Sequence, residues 1–138
     1  MAARRALITG IGGQDGSFLA ELLVEHGYEV TGIVHRPAGA YGENLAGVAG
    51  RVELVEADVL DEEAMSRVLA EQRPHEVYNL AAPSFGPRSW DEPVRTAEFA
   101  AVGVTALLEA IRAVDPAIRF YQASSSEIFG EPRESPQT

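Results

Sequence analysis

No cysteine occurs among the 138 residues, which excludes disulfides and thiolate metal sites. Lysine is missing too: all 11 basic residues are arginine, so no step that needs a lysine ammonium is available to this stretch of chain. Bases are outnumbered by 21 acids, for a formal net charge of −10. Such a surface repels nucleic acid and anionic membranes before contact. No apolar run reaches the ~18 residues that a membrane-spanning helix needs. Met1-Ala2-Ala3-Arg4-Arg5 leads into no apolar segment of the kind that marks a signal peptide. These absences predict a cytoplasmic protein without nucleic-acid or membrane partners. What is present is ordinary for a globular chain: 46% hydrophobic residues, enough for one domain with a buried core.

Strand and helix patterns alternate along the chain. RALIT at 5–9 is a short apolar run followed at once by glycines, as in a buried parallel strand. Phe18, Leu19, Leu22 and Leu23 recur at helical spacing over 14–26, and Gly27 suits the helix end. Residues 28–34 read as a second strand. The glycine-rich stretch 37–50 has no periodicity and is expected to be a loop. A strand at 51–56, a helix capped by Asp61 and running to about Gln72, and a strand at 76–80 follow. Pro93 opens a long helix to Val114, stopped by Asp115-Pro116, and 118–123 is a fifth strand. This order predicts an α/β fold with a doubly wound parallel sheet of Rossmann type. Phe99, Val102, Leu107, Leu108, Ile111 and Val114 leave the long helix little polar face. It is either a generous core helix or a helix covered on its second side by a partner or by further chain.

Gly10-Ile11-Gly12-Gly13-Gln14-Asp15-Gly16 lies between the first strand and the first helix, with G-x-x-G-x-x-G spacing through Gly10, Gly13 and Gly16. Glycines here permit a tight turn and close backbone approach to a pyrophosphate, and the helix start offers N–H groups to the phosphates. This context predicts a dinucleotide site; the alternative is a glycine turn without a ligand. An NAD site usually offers an acid at the end of the second strand. Here Val34-His35-Arg36 stands instead, and Arg36 suits a 2′-phosphate, so NADP is favoured over an ordinary surface arginine. Asp58, after the third strand, either accepts from an adenine amino group or caps a turn. Leu80-Ala81-Ala82 offers small side chains where a cofactor could pass, or where a core could pack. Ser124-Ser125-Ser126-Glu127 follows the fifth strand, on the edge where open α/β sheets place their ligand crevice. A serine hydroxyl can bond a substrate oxygen and a glutamate can act as a general base; a polar turn would have the same residues.

ALITGIGGQDGSFLAELLVEHGYEVTGIV, EVYNLAA, and FYQASSSEIFG followed by ESPQ resemble the N-terminal part of the GDP-mannose 4,6-dehydratases, extended short-chain dehydrogenases/reductases. GQDGS and FYQAS-x-SE are the most specific pieces. The resemblance implies tightly bound NADP, hydride removal from C4 of the mannose ring, loss of water across C5 and C6, and hydride return to C6. It assigns Glu127 as the C5 base and Ser125, commonly threonine in the family, as the hydroxyl beside O4. Gly10, Gly12, Gly13, Gln14, Asp15, Gly16, Arg36, Asp58, Val59, Leu80, Ala81, Ala82 and Ser84 fall on its NADP-binding positions. No metal is implied. GDP-mannose or a related nucleotide sugar is the implied substrate, and a dimer or tetramer the implied assembly.

Pro83-Ser84-Phe85-Gly86 stands where family members often read A-Q-S-H-V, and Arg95 replaces a tyrosine near the cofactor. The family's Tyr-x-x-x-Lys would lie beyond Glu127, and a chain without lysine cannot supply it. The expectation is an incomplete NADP-binding domain over 1–138, with the substrate domain outside it and no turnover by these residues alone. dTDP-glucose dehydratases typically carry Asp-Glu where this chain has Ser126-Glu127, and sugar 4-epimerases generally lack the glutamate. Another nucleotide-sugar dehydratase or epimerase, or a non-catalytic NADP-binding module, is the alternative.

Overall fold

A computed structural model describes residues 3–35, 38–82 and 88–137. Five strands, β1 (Arg5–Thr9), β2 (Glu29–Val34), β3 (Val52–Glu56), β4 (Glu76–Asn79) and β5 (Arg119–Gln122), form one sheet in the order β3-β2-β1-β4-β5. Every neighbouring pair is parallel. All five strands therefore end on the same edge. The chain moves outward from β1 to β2 and β3, then crosses back to β4 on the other side of β1. That reversal opens a crevice beyond the ends of β1 and β4.

The pleat divides the core in two, because neighbouring residues of a strand point to opposite faces. Leu7, Ile33 and Val77 face α2 (Glu62–Gln72), where Met65, Val68 and Leu69 meet Leu107 and Ile111 of the last long helix. Ala6, Ile8, Val30 and Val34 face the other way, onto Ile11 and onto Ala20 and Leu23 of α1 (Gln14–Glu25). Predicted strand ends and observed ones agree within a residue or two. The Asp61 cap is present, its carboxylate accepting from the Ala64 N–H at 3.0 Å. Gly27 has the left-handed φ of +78° that a helix end requires.

Two expectations are corrected. The stretch expected to be an irregular loop is 3₁₀-helical over Ala38–Val48. Its Leu45 and Val48 are buried against the α1 face of the sheet; three residues apart, they share one side of a helix with three residues per turn. The helix expected from Pro93 to Val114 is present over that whole span, after a short helix α3 (Arg88–Asp91), but it is not α-helical throughout and has two α-helical parts. These are α4 (Pro93–Ala97) and α5 (Val104–Val114), joined by a π-helical turn over Glu98–Gly103. Gly103, at the end of that turn, packs so closely on Leu60 that a Cβ would lie 2.8 Å from its Cδ2. Only one side of α5 is covered among the described residues: its Leu107 and Ile111 are buried and its Leu108 is exposed, as are Trp90 of α3, Val94 of α4 and Val102 of the π-turn. No helix among the described residues is long and apolar enough to cross a membrane.

Candidate functional site

The crevice is organised by Thr9, the last residue of β1 and fully buried. Its hydroxyl accepts the N–H groups of Leu80 and Ala81 at 3.2 and 3.1 Å and donates to Oδ1 of Asn79 at 2.5 Å. Asn79 passes the chain on, donating through Nδ2 to Oε1 of Gln122 at 2.8 Å. Gln122 in turn donates to the Ala123 carbonyl at 3.1 Å. A row of neutral donors and acceptors thus links the ends of β1, β4 and β5 and leads to the serines. Sequence reasoning missed all three side chains. Each closes an otherwise apolar or β-rich run at a strand end, which was the available signal.

Gly10 follows Thr9 with φ +70°. A Cβ there would lie 2.9 Å from both the Ala81 nitrogen and the Leu80 carbonyl carbon. Left-handed backbone and lack of room both require glycine. The Gly13 N–H then bonds the Gly10 carbonyl at 3.0 Å, and the chain enters α1. Gly13 is the N-cap, in extended conformation, and no side chain caps the helix. Gly13, Gln14 and Asp15 are exposed while Gly12 and Gly16 are buried, so the start of α1 presents backbone donors outward. This is the cradle a pyrophosphate needs: glycine where a side chain would intrude and a helix start left open.

The other expected residues take several places. Leu80 packs partly into the α1-side core; Ala81 is half-buried and Ala82 exposed beside the glycine turn. Asp58 makes the turn expected as one of its two uses, its Oδ1 accepting the Leu60 N–H at 2.9 Å. Val59 packs against the α2-side core. Both sit on the same edge as the glycine turn, beyond β3, with β2 between. Ser125 is exposed after β5, its carbonyl accepting the Ile128 N–H at 3.3 Å. Glu127 lies on the 3₁₀ turn Ser126–Phe129, but its side chain, like Arg36 and Ser84 altogether, is outside the described residues. Arg95 lies over the Phe99 ring, 6.0 Å from its centroid. Among the described residues no cluster of His, Asp or Glu could hold a metal ion.

The sheet order and the open glycine turn define a doubly wound, Rossmann-type α/β fold. An epimerase from Methanothermobacter thermautotrophicus superposes with TM-score 0.85 at 29% identity, over 99% of this chain and 40% of that one. The Bordetella bronchiseptica enzyme WbmH, solved in complex with NAD+, gives TM-score 0.79 at 27% identity over 98% and 44%.

Residues 7–138 match the GDP-mannose 4,6 dehydratase family, and the chain belongs to that family. It is 42% identical to GDP-mannose 4,6 dehydratase of Drosophila melanogaster over 96% of its own length and 36% of the relative's. To the human enzyme of that name it is 41% identical, over 96% and 38%, and to that of Vibrio cholerae 41%, over 97% and 38%. The chain thus spans well under half the length of the curated relatives it matches.

Proposed function

We propose that this chain forms the NADP-binding part and one catalytic edge of a GDP-mannose 4,6-dehydratase, which converts GDP-mannose to GDP-4-keto-6-deoxymannose and water. The observation that carries the reading is the family match across 7–138, joined to a glycine turn whose geometry suits a dinucleotide. When bound, that dinucleotide supplies reversible hydride transfer. Gln14 and Asp15, at the exposed start of α1, meet its pyrophosphate with backbone N–H groups, while Gly10 and the Leu80–Ala82 segment allow close approach. Arg36, with no acid at the end of β2, selects the 2′-phosphate. Asp58 and Val59 border the adenine end. On the other side of the crevice the Ser125 hydroxyl bonds O4 of the sugar and holds it in place. Glu127 takes the proton from C5 as the C6 hydroxyl departs with a proton as water. The tyrosine–lysine pair that completes proton transfer at O4 has to come from outside these 138 residues, which contain no lysine. By themselves they bind cofactor without turnover. The exposed Trp90, Val94, Val102 and Leu108 support a homo-oligomer built on the α3–α5 stretch.

Protein purified from its natural source and supplied with GDP-mannose should yield a product lighter by one water, with no added NADP. Glu127→Gln should abolish that product while cofactor stays bound. Full turnover by Glu127→Gln would remove the glutamate from its role, and retained GDP-mannose with bound NADP would favour a non-catalytic binding module.

A further inference from the structure

Gly12 belongs to the glycine turn, yet what it faces is not open space. A Cβ at this position would fall inside the ring of Tyr41, against Cδ1, Cε1 and Cγ. Tyr41 comes from the 3₁₀ segment between β2 and β3, and its ring fills the volume that a side chain at position 12 would take. The Tyr41 hydroxyl accepts the backbone N–H of His35 at 3.2 Å and lies 3.1 Å from His35 Nδ1. The two rings meet edge to face, 6.0 Å between centroids at 78°. Three residues on, Asn44 donates to the Gly12 carbonyl at 2.9 Å. One segment therefore grips the glycine turn at two points and the end of β2 at a third.

We propose that Tyr41 is a cofactor-positioning and specificity-determining residue: it locks the turn that meets the pyrophosphate to the end of β2 that meets the adenosine ribose. The proposal rests on the cofactor reading above. A dinucleotide spans both sites, so its affinity depends on their separation being set before it arrives. His35 directly precedes Arg36 in the sequence, so holding the His35 backbone bears on the residue that the proposed function assigns to the 2′-phosphate. The clasp thereby favours NADPH over NADH, not merely dinucleotide over none.

Four variants and two readouts test this. Amide hydrogen exchange across residues 10–16 reports the turn without any ligand; NADPH and NADH titrations report selectivity. Tyr41→Ala should speed exchange in the turn about tenfold and weaken NADPH about tenfold, NADH less. Tyr41→Phe keeps the ring on Gly12 and should leave turn exchange slow, yet lower the NADPH-to-NADH preference about threefold. Gly12→Ala should loosen NADPH binding by collision with the ring, and Gly12→Ala with Tyr41→Ala should recover part of it. Unchanged turn exchange and unchanged selectivity in Tyr41→Ala would overturn the proposal. If Tyr41→Ala does not fold, an unaltered NADPH-to-NADH preference in Tyr41→Phe overturns it instead. A wild-type chain that binds neither dinucleotide overturns the cofactor reading, and the exchange rates then decide the clasp by themselves.

Discussion

β1, β4 and β5 are tied together at both ends, by opposite chemistry. At their C-terminal ends Thr9, Asn79 and Gln122 form a neutral row of hydroxyl and amide groups. At their N-terminal ends the link is ionic: Glu76, buried at the start of β4, receives Arg119 from β5 and Arg4 beside β1. Tyr78 donates to the same carboxylate at 2.6 Å and Tyr28 at 3.4 Å. Arg5 adds bonds to the carbonyls of Gln72 and Arg73 at the end of α2. Charge thus satisfies a helix end and a buried acid there. The neutral row holds strand ends in place without filling the crevice with countercharges that would compete for phosphate. One end of the sheet is held by charge and the other by neutral hydrogen bonds.

The largest effect should come from breaking the C-terminal end at its turn. Gly10→Val forces a side chain into left-handed backbone and onto Leu80 and Ala81, and should cost about 3 kcal/mol by chemical denaturation, with loss of NADPH binding. Thr9→Val deletes the acceptor for two N–H groups and the donor to Asn79; about 2 kcal/mol should be lost, and cofactor affinity with it. Glu76→Gln at the opposite end should cost about 1 kcal/mol, since Arg4 and Arg119 are well exposed and rehydrate. NADPH affinity should stay unchanged, and a loss would break the division between the two ends.

A pH series sharpens the same point. Burial, and then the Glu76 carboxylate, push the Tyr78 phenol from 10.0 up to about 12. A group held protonated beyond its unfolded value contributes stability below pH 10 and loses it as pH rises toward 12. Wild type should therefore lose stability faster than Tyr78→Phe across that window. Parallel curves would remove the phenol from the ionic end. The smallest change expected is a gain: Arg73 ends α2 in left-handed backbone, φ 44°, so Arg73→Gly should raise stability by about 0.5 kcal/mol without touching NADPH binding.

Much of this was legible residue by residue. Strand runs such as RALIT bury both faces and read as apolar throughout, while Asp61, Gly27 and Pro93 mark helix ends by local chemistry. The glycine turn was legible because left-handed φ and missing Cβ atoms leave a signature in residue type. The 3₁₀ segment was not, since Leu45 and Val48 are too few to outweigh its glycines. Nor was the π-turn, whose last residue Gly103 packs on Leu60 across the fold. Asp58 read as either of two uses, and the structure shows its Oδ1 in the turn bond to Leu60.

Periodicity and residue type were enough for an α/β chain with a glycine turn between β1 and α1, because burial and backbone strain act on each residue where it stands. The strand order, the row from Thr9 to Gln122 and the seat of Tyr41 on Gly12 join positions 22 to 70 residues apart. Such pairings are chosen by packing, when the sheet brings distant strand ends side by side, and no local preference of either partner encodes them.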